Sequence, residues 1–367
     1  MLTSDQTASE IALPAFETQA MPEIALPAFD VRALARRAAL PTLLGAAAVA
    51  TAVVAGGHIH AVREVLRRGF AVAPGWAAGG VLLECASLAG YIWLLSLVAG
   101  RATPRIGARE SAQITLAGAA ATRLLPTAGA GGAALTVWTL RRAGLKPSAA
   151  TSTLLAFLVL LYAVFLASIV ISGGVLALGL VHSDGPVELS AIPAVGALTG
   201  IVLALVLAFR RRPEGRRLEG PHRALEPTSR ASRLARGGRL IGDAVREAIG
   251  LVASGDLRLA GAVAYWLFDA AVLWAMLQVF GGTPSLPVAG LAYLVGQVSN
   301  TVPIPGSVSG GMTGVLVAFG VPLELALPSV LAYRTLAVWL PLPVAIAALP
   351  GLRTSISRWE REDAAIT

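Results

Sequence analysis

The sequence predicts an all-α polytopic membrane protein with six spanning helices and two re-entrant helical hairpins, arranged as an inverted-topology repeat. The first observation is composition: 56% of the 367 residues are hydrophobic and only 14% are charged, which is typical of polytopic membrane proteins. The second is a set of six long apolar runs. The third is a Pro/Gly-rich break that occurs twice, each time between two short apolar arms.

Each of the six runs is long enough to cross a hydrocarbon core of about 30 Å, which needs about 20 apolar residues. They lie near residues 38–57, 77–99, 149–180, 189–209, 259–281 and 325–350. The two broken elements occupy residues 111–140 and 286–320. Their arms have only about 11–14 residues, a length that favours re-entrant segments over full spans.

The breaks themselves indicate where a binding site should lie. Pro and Gly release backbone groups that lipid cannot satisfy, so such breaks persist only against protein or a wet cavity. Paired interruptions in two halves of a chain are typical of a transporter's binding site. The residues concerned are Pro126, Gly129 and Gly132 in the first element and Pro303, Pro305, Gly306 and Gly311 in the second.

Charge predicts the orientation in the membrane. Residues 210–247 hold eleven arginines against five acidic residues, so the Arg-rich loop at 210–256 should be cytoplasmic. If residues 111–140 fold back rather than span, six upstream arginines lie inside and three outside. If residues 111–140 spanned the membrane, three of these arginines would lie inside and six outside. Because arginines are in excess on the cytoplasmic side, we favour the re-entrant arrangement. The later part of the loop, Arg239–Gly255, is predicted to be an amphipathic helix on the membrane.

With this orientation, the two broken elements enter the membrane from opposite faces. Repeat 1 covers residues 77–180 and repeat 2 covers residues 259–350, and the two repeats have inverted topology, which is the symmetry of alternating-access carriers. Both lie within a single transmembrane domain at residues 38–350.

Short segments flank this domain. Residues 351–367 are predicted to form a cytoplasmic tail, and residues 1–37 a disordered cytoplasmic leader of mixed charge with prolines. The leader contains Glu-Ile-Ala-Leu-Pro-Ala-Phe twice, at Glu10–Phe16 and Glu23–Phe29. A recent tandem duplication and a partner-docking motif are both open readings of this repeat.

Four ionisable residues interrupt apolar segments: Glu84, Arg123, Asp269 and Arg334. A charge at the bilayer centre costs roughly 2.5–3.5 kcal/mol on insertion scales, so each is a functional candidate. One reading is that Arg123 and Arg334 bind an anionic headgroup while Glu84 and Asp269 balance charge or carry protons. The other is that all four only form interhelical ion pairs. Asn300, directly before the second break, is a candidate for headgroup contact or for helix capping.

Other classes of site find little support. No catalytic motif is present, and no metal site or cofactor is predicted. The single cysteine, Cys85, excludes an internal disulfide. The net charge of +8 is better explained by topology and anionic lipids than by nucleic acid. We therefore expect membrane lipids with anionic or polar headgroups as partners, and leave open a homo-oligomer or a lipid-synthesising partner.

At the breaks and the final span, the chain resembles the lysylphosphatidylglycerol synthase transmembrane-domain family of flippase-like membrane proteins. The matching stretches are Arg123–Gly132, Arg141–Leu145, Pro303–Gly306, Gly310–Gly311, Phe319–Pro322, Tyr333–Arg334 and Trp339–Pro341. The resemblance covers roughly residues 40–350 and implies a module that moves a lipid across the bilayer. We expect no cytosolic acyltransferase domain in this chain. The glutamate that relatives often carry after the second Pro-Gly is replaced by the Ser307–Ser309 region.

These observations favour a non-enzymatic translocator of a polar or anionic lipid, in the plasma membrane of a bacterium and with both termini cytoplasmic. The headgroup would pass through a central cavity between the two broken hairpins. A small-solute secondary transporter of similar symmetry, an inert accessory subunit and a membrane enzyme acting on lipid remain alternatives.

The predicted inversion can be tested by cysteine labelling in a Cys85→Ala background. A single cysteine at Gly131 should react with an impermeant reagent from the cytoplasmic side, and one at Gly306 from the opposite side. Reaction of both positions from the same side would contradict the inverted arrangement.

Overall fold

The computed structural model describes residues 74–124, 130–209, 230–300 and 306–365. Within these ranges the chain forms α-helices and a short 3-10 helix at Leu257–Leu259. The α-helices are α1 Pro74–Ala102, α2 Ala108–Leu124, α3 Ala130–Arg142, α4 Pro147–Ala177, α5 Val187–Phe209, α6 Arg230–Ala253, α7 Ala260–Val279, α8 Leu286–Ser299, α9 Ser307–Ala318, α10 Leu323–Trp339 and α11 Pro341–Ala364. The predicted all-α class is confirmed in the described part of the chain.

Five segments of the described chain are long and apolar enough to cross a membrane. They are α1, α4, α5, α7 with its preceding 3-10 turn, and α10 together with α11. The first four correspond to the predicted runs at 77–99, 149–180, 189–209 and 259–281, so the multi-pass prediction is confirmed. The predicted run at 38–57, the leader at 1–37 and its duplicated motif lie outside the described residues.

The last predicted run, residues 325–350, is not one continuous helix. Helix α10 ends at Trp339 and α11 begins at Pro341. Pro341 has no backbone N–H to continue the ladder, and proline is favoured at the first position of a new helix. Helix α11 then runs on to Ala364, so residues 351–364, which we assigned to a tail, form its second half.

Most of the described part of the Arg-rich loop folds as α6, which covers the predicted amphipathic segment from Arg239 to Ala253. Four small or apolar side chains of α6 are buried: Ala244, Val245, Ala248 and Leu251. Helix α6 packs against α4 and α5, so this face contacts protein. Leu240, Ile241 and Val252 stay exposed and form the part of α6 that can lie against lipid.

Both broken elements fold as a pair of helices packed against each other. The first hairpin consists of α2 and α3, and the second hairpin consists of α8 and α9. Glycines let the arms approach closely. A Cβ on Gly132 of α3 would lie 2.9 Å from the Gly118 carbonyl oxygen of α2, and the Gly132 N–H donates to the Thr122 hydroxyl at 3.1 Å. In the second hairpin a Cβ on Gly296 would lie 2.2 Å from Met312.

The two halves of the protein use corresponding packing contacts. Within the first half, α1 packs on α2 and α4, and α3 packs on α4. Within the second, α7 packs on α8 and α10, and α9 packs on α10. Across the halves, α2 packs on α11 while α8 packs on α4. The first hairpin is thus held by the last helix of the second half, and the second hairpin by the last helix of the first.

Helices α1 and α7 form the most extensive contact between the halves, and they are antiparallel. Gly80 near the start of α1 lies beside Met276 near the end of α7, whereas Gly90 lies beside Gly261 near the start of α7. At this crossing a Cβ on Gly261 would lie 2.3 Å from the Gly90 carbonyl oxygen. The two backbones are therefore in direct contact, which only glycine permits at both positions.

Replacing Gly261 with Ala should destabilise the protein, because its methyl group has no space against the α1 backbone. We expect a loss of about 1–3 kcal/mol, the usual cost of overpacking, measured as a lower midpoint of thermal unfolding in detergent. Gly79→Ala in α1 is the matched control, since no atom lies within 4 Å of its Cβ position. Equal unfolding midpoints for the two variants would contradict the close crossing.

Candidate functional site: a buried polar cluster

The two acidic residues predicted from the sequence lie at the same level of the α1/α7 pair. Ser87 of α1 donates to the carbonyl oxygen of Tyr265 in α7 at 3.0 Å, and Gly80 lies opposite Val272. Glu84 falls between Gly80 and Ser87, and Asp269 falls between Tyr265 and Val272. Both carboxyl side chains are buried, with Glu84 4% and Asp269 7% exposed.

Tyrosine and glutamine side chains from two further helices join these acids. The Tyr293 hydroxyl on α8 donates to Asp269 Oδ2 at 2.6 Å. Gln297, one turn further along α8, donates from Nε2 to the Tyr333 hydroxyl of α10 at 3.0 Å. Tyr293 and Tyr333 are fully buried, and their rings meet edge to face with centroids 6.0 Å apart.

Through Tyr333, this hydrogen-bond network extends to α10, which also carries Arg334. Arg334 follows Tyr333 on α10 and is partly exposed. Its guanidinium forms no hydrogen bond or ion pair with any other residue that the structure describes. We call Glu84, Asp269, Tyr293, Gln297, Tyr333 and Arg334 the polar cluster.

Of the four predicted ionisable residues, Glu84 and Asp269 lie at one level of the α1/α7 pair, and Arg334 follows Tyr333 in the cluster. The predicted purely structural alternative, an ion pair made by Arg334, is not present among the described residues. Arg123 lies on the last turn of α2, and its side chain is outside the described part of the chain. Whether it approaches the polar cluster stays a prediction.

The predicted break residues have mixed outcomes. Pro126, Gly129, Pro303 and Pro305 lie outside the described residues. Gly132 and Gly311 sit at close contacts between the arms of their hairpins, where a Cβ on Gly311 would lie 2.5 Å from the Ser299 hydroxyl. Gly306 has φ +85°, the left-handed region that favours glycine, and directly precedes α9. Asn300 is exposed at the end of α8, and its backbone N–H bonds back to Gln297.

Sequence reasoning gave no role to Tyr293, Gln297 or Tyr333. Tyr293 and Gln297 are four residues apart, so they share one face of α8. A tyrosine and a glutamine on one face of a short, otherwise apolar arm could have indicated a polar partner inside the bundle. Aromatic residues in membrane helices more often serve packing, so we assigned no role to the two tyrosines.

Aromatic side chains surround the cluster on the α4 side. Trp266 of α7 stacks near Tyr293, with ring centroids 6.3 Å apart, and its indole N–H donates to the Leu161 carbonyl oxygen at 2.8 Å. Phe165 of α4 packs on the Trp266 ring at 4.6 Å. These contacts help to bury Tyr293, whose hydrogen bond to Asp269 is electrostatically stronger away from water.

Two cavities in the described part of the molecule lie away from the cluster. One of about 310 Å³ lies at the base of the second hairpin, between Asp184, Ser285, Phe319 and Val321. The other, of about 260 Å³, lies near Arg101 and Glu247 at the opposite end. Among the described residues, no group of three or more His, Cys, Asp or Glu side chains could hold a metal ion.

The fold and this site define a class: a multi-pass helical membrane protein that gathers ionisable side chains inside its bundle. The family model for the lysylphosphatidylglycerol synthase transmembrane region matches residues 35–345. The chain belongs to this family, and the resemblance inferred from the breaks and the final span is confirmed. No curated protein matches the chain.

The hydrogen bond between Tyr293 and Asp269 should contribute measurably to stability. Asp269→Ala leaves the buried Tyr293 hydroxyl without its acceptor, which should cost about 1–3 kcal/mol, seen as a lower thermal unfolding midpoint. Asp269→Asn retains an acceptor oxygen and should lose less. Asp184→Ala, at a side chain that is 90% exposed, is the control and should unfold like the wild type. Similar midpoints for Asp269→Ala and the control would contradict the bond.

Proposed function

We propose that this protein is a non-enzymatic, flippase-like translocator of a lipid with a polar or anionic headgroup. The observation that carries the proposal is the polar cluster, in which two buried carboxyl groups lie at one level of the bundle and Arg334 follows the buried Tyr333 on α10. Charges in such positions are costly and mark substrate or ion pathways. Membership of the family supports a lipid as the substrate.

Arg334 is proposed to bind the headgroup phosphate. Its guanidinium donates to no other residue that the structure describes, and in this proposal its donors bind the ligand. A guanidinium can hold a phosphate through two parallel hydrogen bonds. Glu84 and Asp269 are proposed to balance this charge or to accept protons during transport.

Alternating access by an inverted repeat is the proposed mechanism. Two observations support it: the corresponding packing contacts of the two halves, and the antiparallel arrangement of α1 and α7, which are equivalent in the two repeats. In this proposal the first hairpin enters from the cytoplasm and the second from outside. The lipid headgroup passes between them while the acyl tails stay in the bilayer.

A small-solute transporter is the second candidate. The cavity of about 310 Å³ at the base of the second hairpin favours it, because polar residues line a space beside exposed connecting loops. The two candidates differ in a direct measurement. Proteoliposomes containing the full-length protein should move fluorescent phosphatidylglycerol between leaflets, whereas a solute carrier would accumulate soluble glycerol phosphate instead.

Arg334→Ala should slow movement of fluorescent phosphatidylglycerol by roughly tenfold or more, because hydrogen bonds to a charged group contribute about 1.5–3 kcal/mol. The rate is read from dithionite quenching of the outer leaflet over time. Arg334→Lys should restore little, since an ammonium group is a point charge without a planar fork. Arg353→Ala removes an exposed arginine of α11 and serves as the control. Unchanged transport by a folded Arg334→Ala protein would contradict the proposed role.

A further inference from the structure

The two hairpins differ in charge. The whole segment 281–322, which contains the second hairpin, has no Asp, Glu, Lys or Arg residue. The first hairpin, by contrast, carries Arg109, Glu110, Arg123, Arg141 and Arg142. The second hairpin can therefore shift without breaking an ion pair of its own side chains, and the first cannot.

Helix α11 holds the first hairpin at the ends of both arms. Arg358 of α11 pairs with Glu110 at the start of α2 at 3.2 Å, and Glu360 pairs with Arg142 at the end of α3. Arg105, in the turn before α2, pairs with Asp363. Exposed ion pairs are individually weak, but these three act on one short interface.

Buried contacts strengthen the same interface. The Ser355 hydroxyl of α11 donates to Gln113 Oε1 of α2 at 3.0 Å, and both side chains are buried. Leu352, Ile356 and Trp359 of α11 are also buried, with Trp359 only 1% exposed. The first hairpin and α11 should consequently behave as one rigid unit.

The second hairpin is compact in itself and flanked by glycines. Gly296 and Gly311 bring its arms into contact, so the described arms should move together. Gly281 before α8 and Gly320 after α9 have φ +80° and +84°, and no atom lies within 4 Å of either Cβ position. The cavity of about 310 Å³ at this base leaves room for displacement.

Two hydrogen bonds connect the second hairpin to the polar cluster. They run from Tyr293 to Asp269 and from Gln297 to Tyr333, and both start on α8. A headgroup phosphate is an acceptor, so it would compete with Asp269 and Tyr333 for the Tyr293 hydroxyl and the Gln297 amide donors. Occupation of the cluster would then weaken the hold on the hairpin.

We propose that the second hairpin is the moving gate of this protein, and that Tyr293 and Gln297 are positioning residues whose hydrogen bonds a polar, phosphate-bearing ligand displaces. The proposal rests on the function proposed above and adds which hairpin moves and what releases it. The first hairpin, held by α11, is the static side of the pathway.

Spin-label distance measurements on the full-length protein in a Cys85→Ala background test the proposal. One pair, Val317→Cys with Ile171→Cys, reports the second hairpin against α4, on which it packs. The other pair, Ala134→Cys with Val344→Cys, reports the first hairpin against α11. All four positions are exposed and described. Each pair is measured in phosphatidylglycerol nanodiscs and in phosphatidylcholine nanodiscs with or without soluble glycerol phosphate.

We expect the second-hairpin pair to show two distances and the first-hairpin pair to show one. Tyr293→Phe should raise the population of the second distance relative to the first about fivefold, which is the effect of losing one typical hydrogen bond. Tyr91→Phe is the matched control, because it removes a tyrosine hydroxyl on α1 that donates to no described residue. Phosphatidylglycerol should likewise raise the population of the second distance in the second-hairpin pair.

Three other outcomes have separate meanings. A single second-hairpin distance in every condition, or a change confined to the first hairpin, overturns the gate. If a second distance appears but has the same population in Tyr293→Phe and Tyr91→Phe, the positioning role is overturned. A second distance induced by soluble glycerol phosphate and not by phosphatidylglycerol supports the gate and overturns the proposed lipid substrate.

Discussion

The backbone contact between α1 and α7 is the interaction on which the rest of the molecule depends. Two glycines, Gly90 and Gly261, let the helices touch without side chains between them. In a membrane, helix association relies on such close packing because lipid tails are as apolar as the side chains. The crossing also fixes the register that sets Glu84 level with Asp269. A larger residue at either glycine would separate the helices and the two acids together.

Burial of charge then determines which other residues can occupy the neighbourhood. A carboxyl group removed from water needs hydrogen-bond donors, and Tyr293 supplies one to Asp269 at 2.6 Å. Tyr333 accepts from Gln297 and directly precedes Arg334 on α10. The four helices that contribute to this network are α1, α7, α8 and α10. The cluster thus joins the central crossing of the protein to the second hairpin.

Much of the helical framework could be predicted from the sequence, because its causes are local. Apolar length determines α1, α4, α5 and α7, and Pro/Gly content marks where the hairpin arms separate. The division between α10 and α11 was missed because hydropathy alone is continuous across Leu340, while Pro341 ends the hydrogen-bond ladder. Proline at that position should have had more weight than apolar length.

The candidate site was only partly predictable. Glu84, Asp269 and Arg334 stand out individually because charge is rare in apolar segments. The alignment of Glu84 with Asp269 depends on the register of α1 against α7, and the place of Arg334 depends on the position of α10. No short stretch of sequence encodes either. Tyr293 and Gln297 are ordinary residues until α8 is placed beside Asp269. Spatial arrangement, rather than residue type, gives them their part in the network.

Helix α11 has a consequence for how the end of the chain transmits force. Its last turns bind both arms of the first hairpin, because Arg358 pairs with Glu110 and Glu360 pairs with Arg142. A force applied to a polypeptide or fusion partner joined after Ala364 would therefore act directly on that hairpin through helix α11. Attaching the carboxyl end to a support would therefore restrain the first hairpin mechanically and leave the second hairpin without that load.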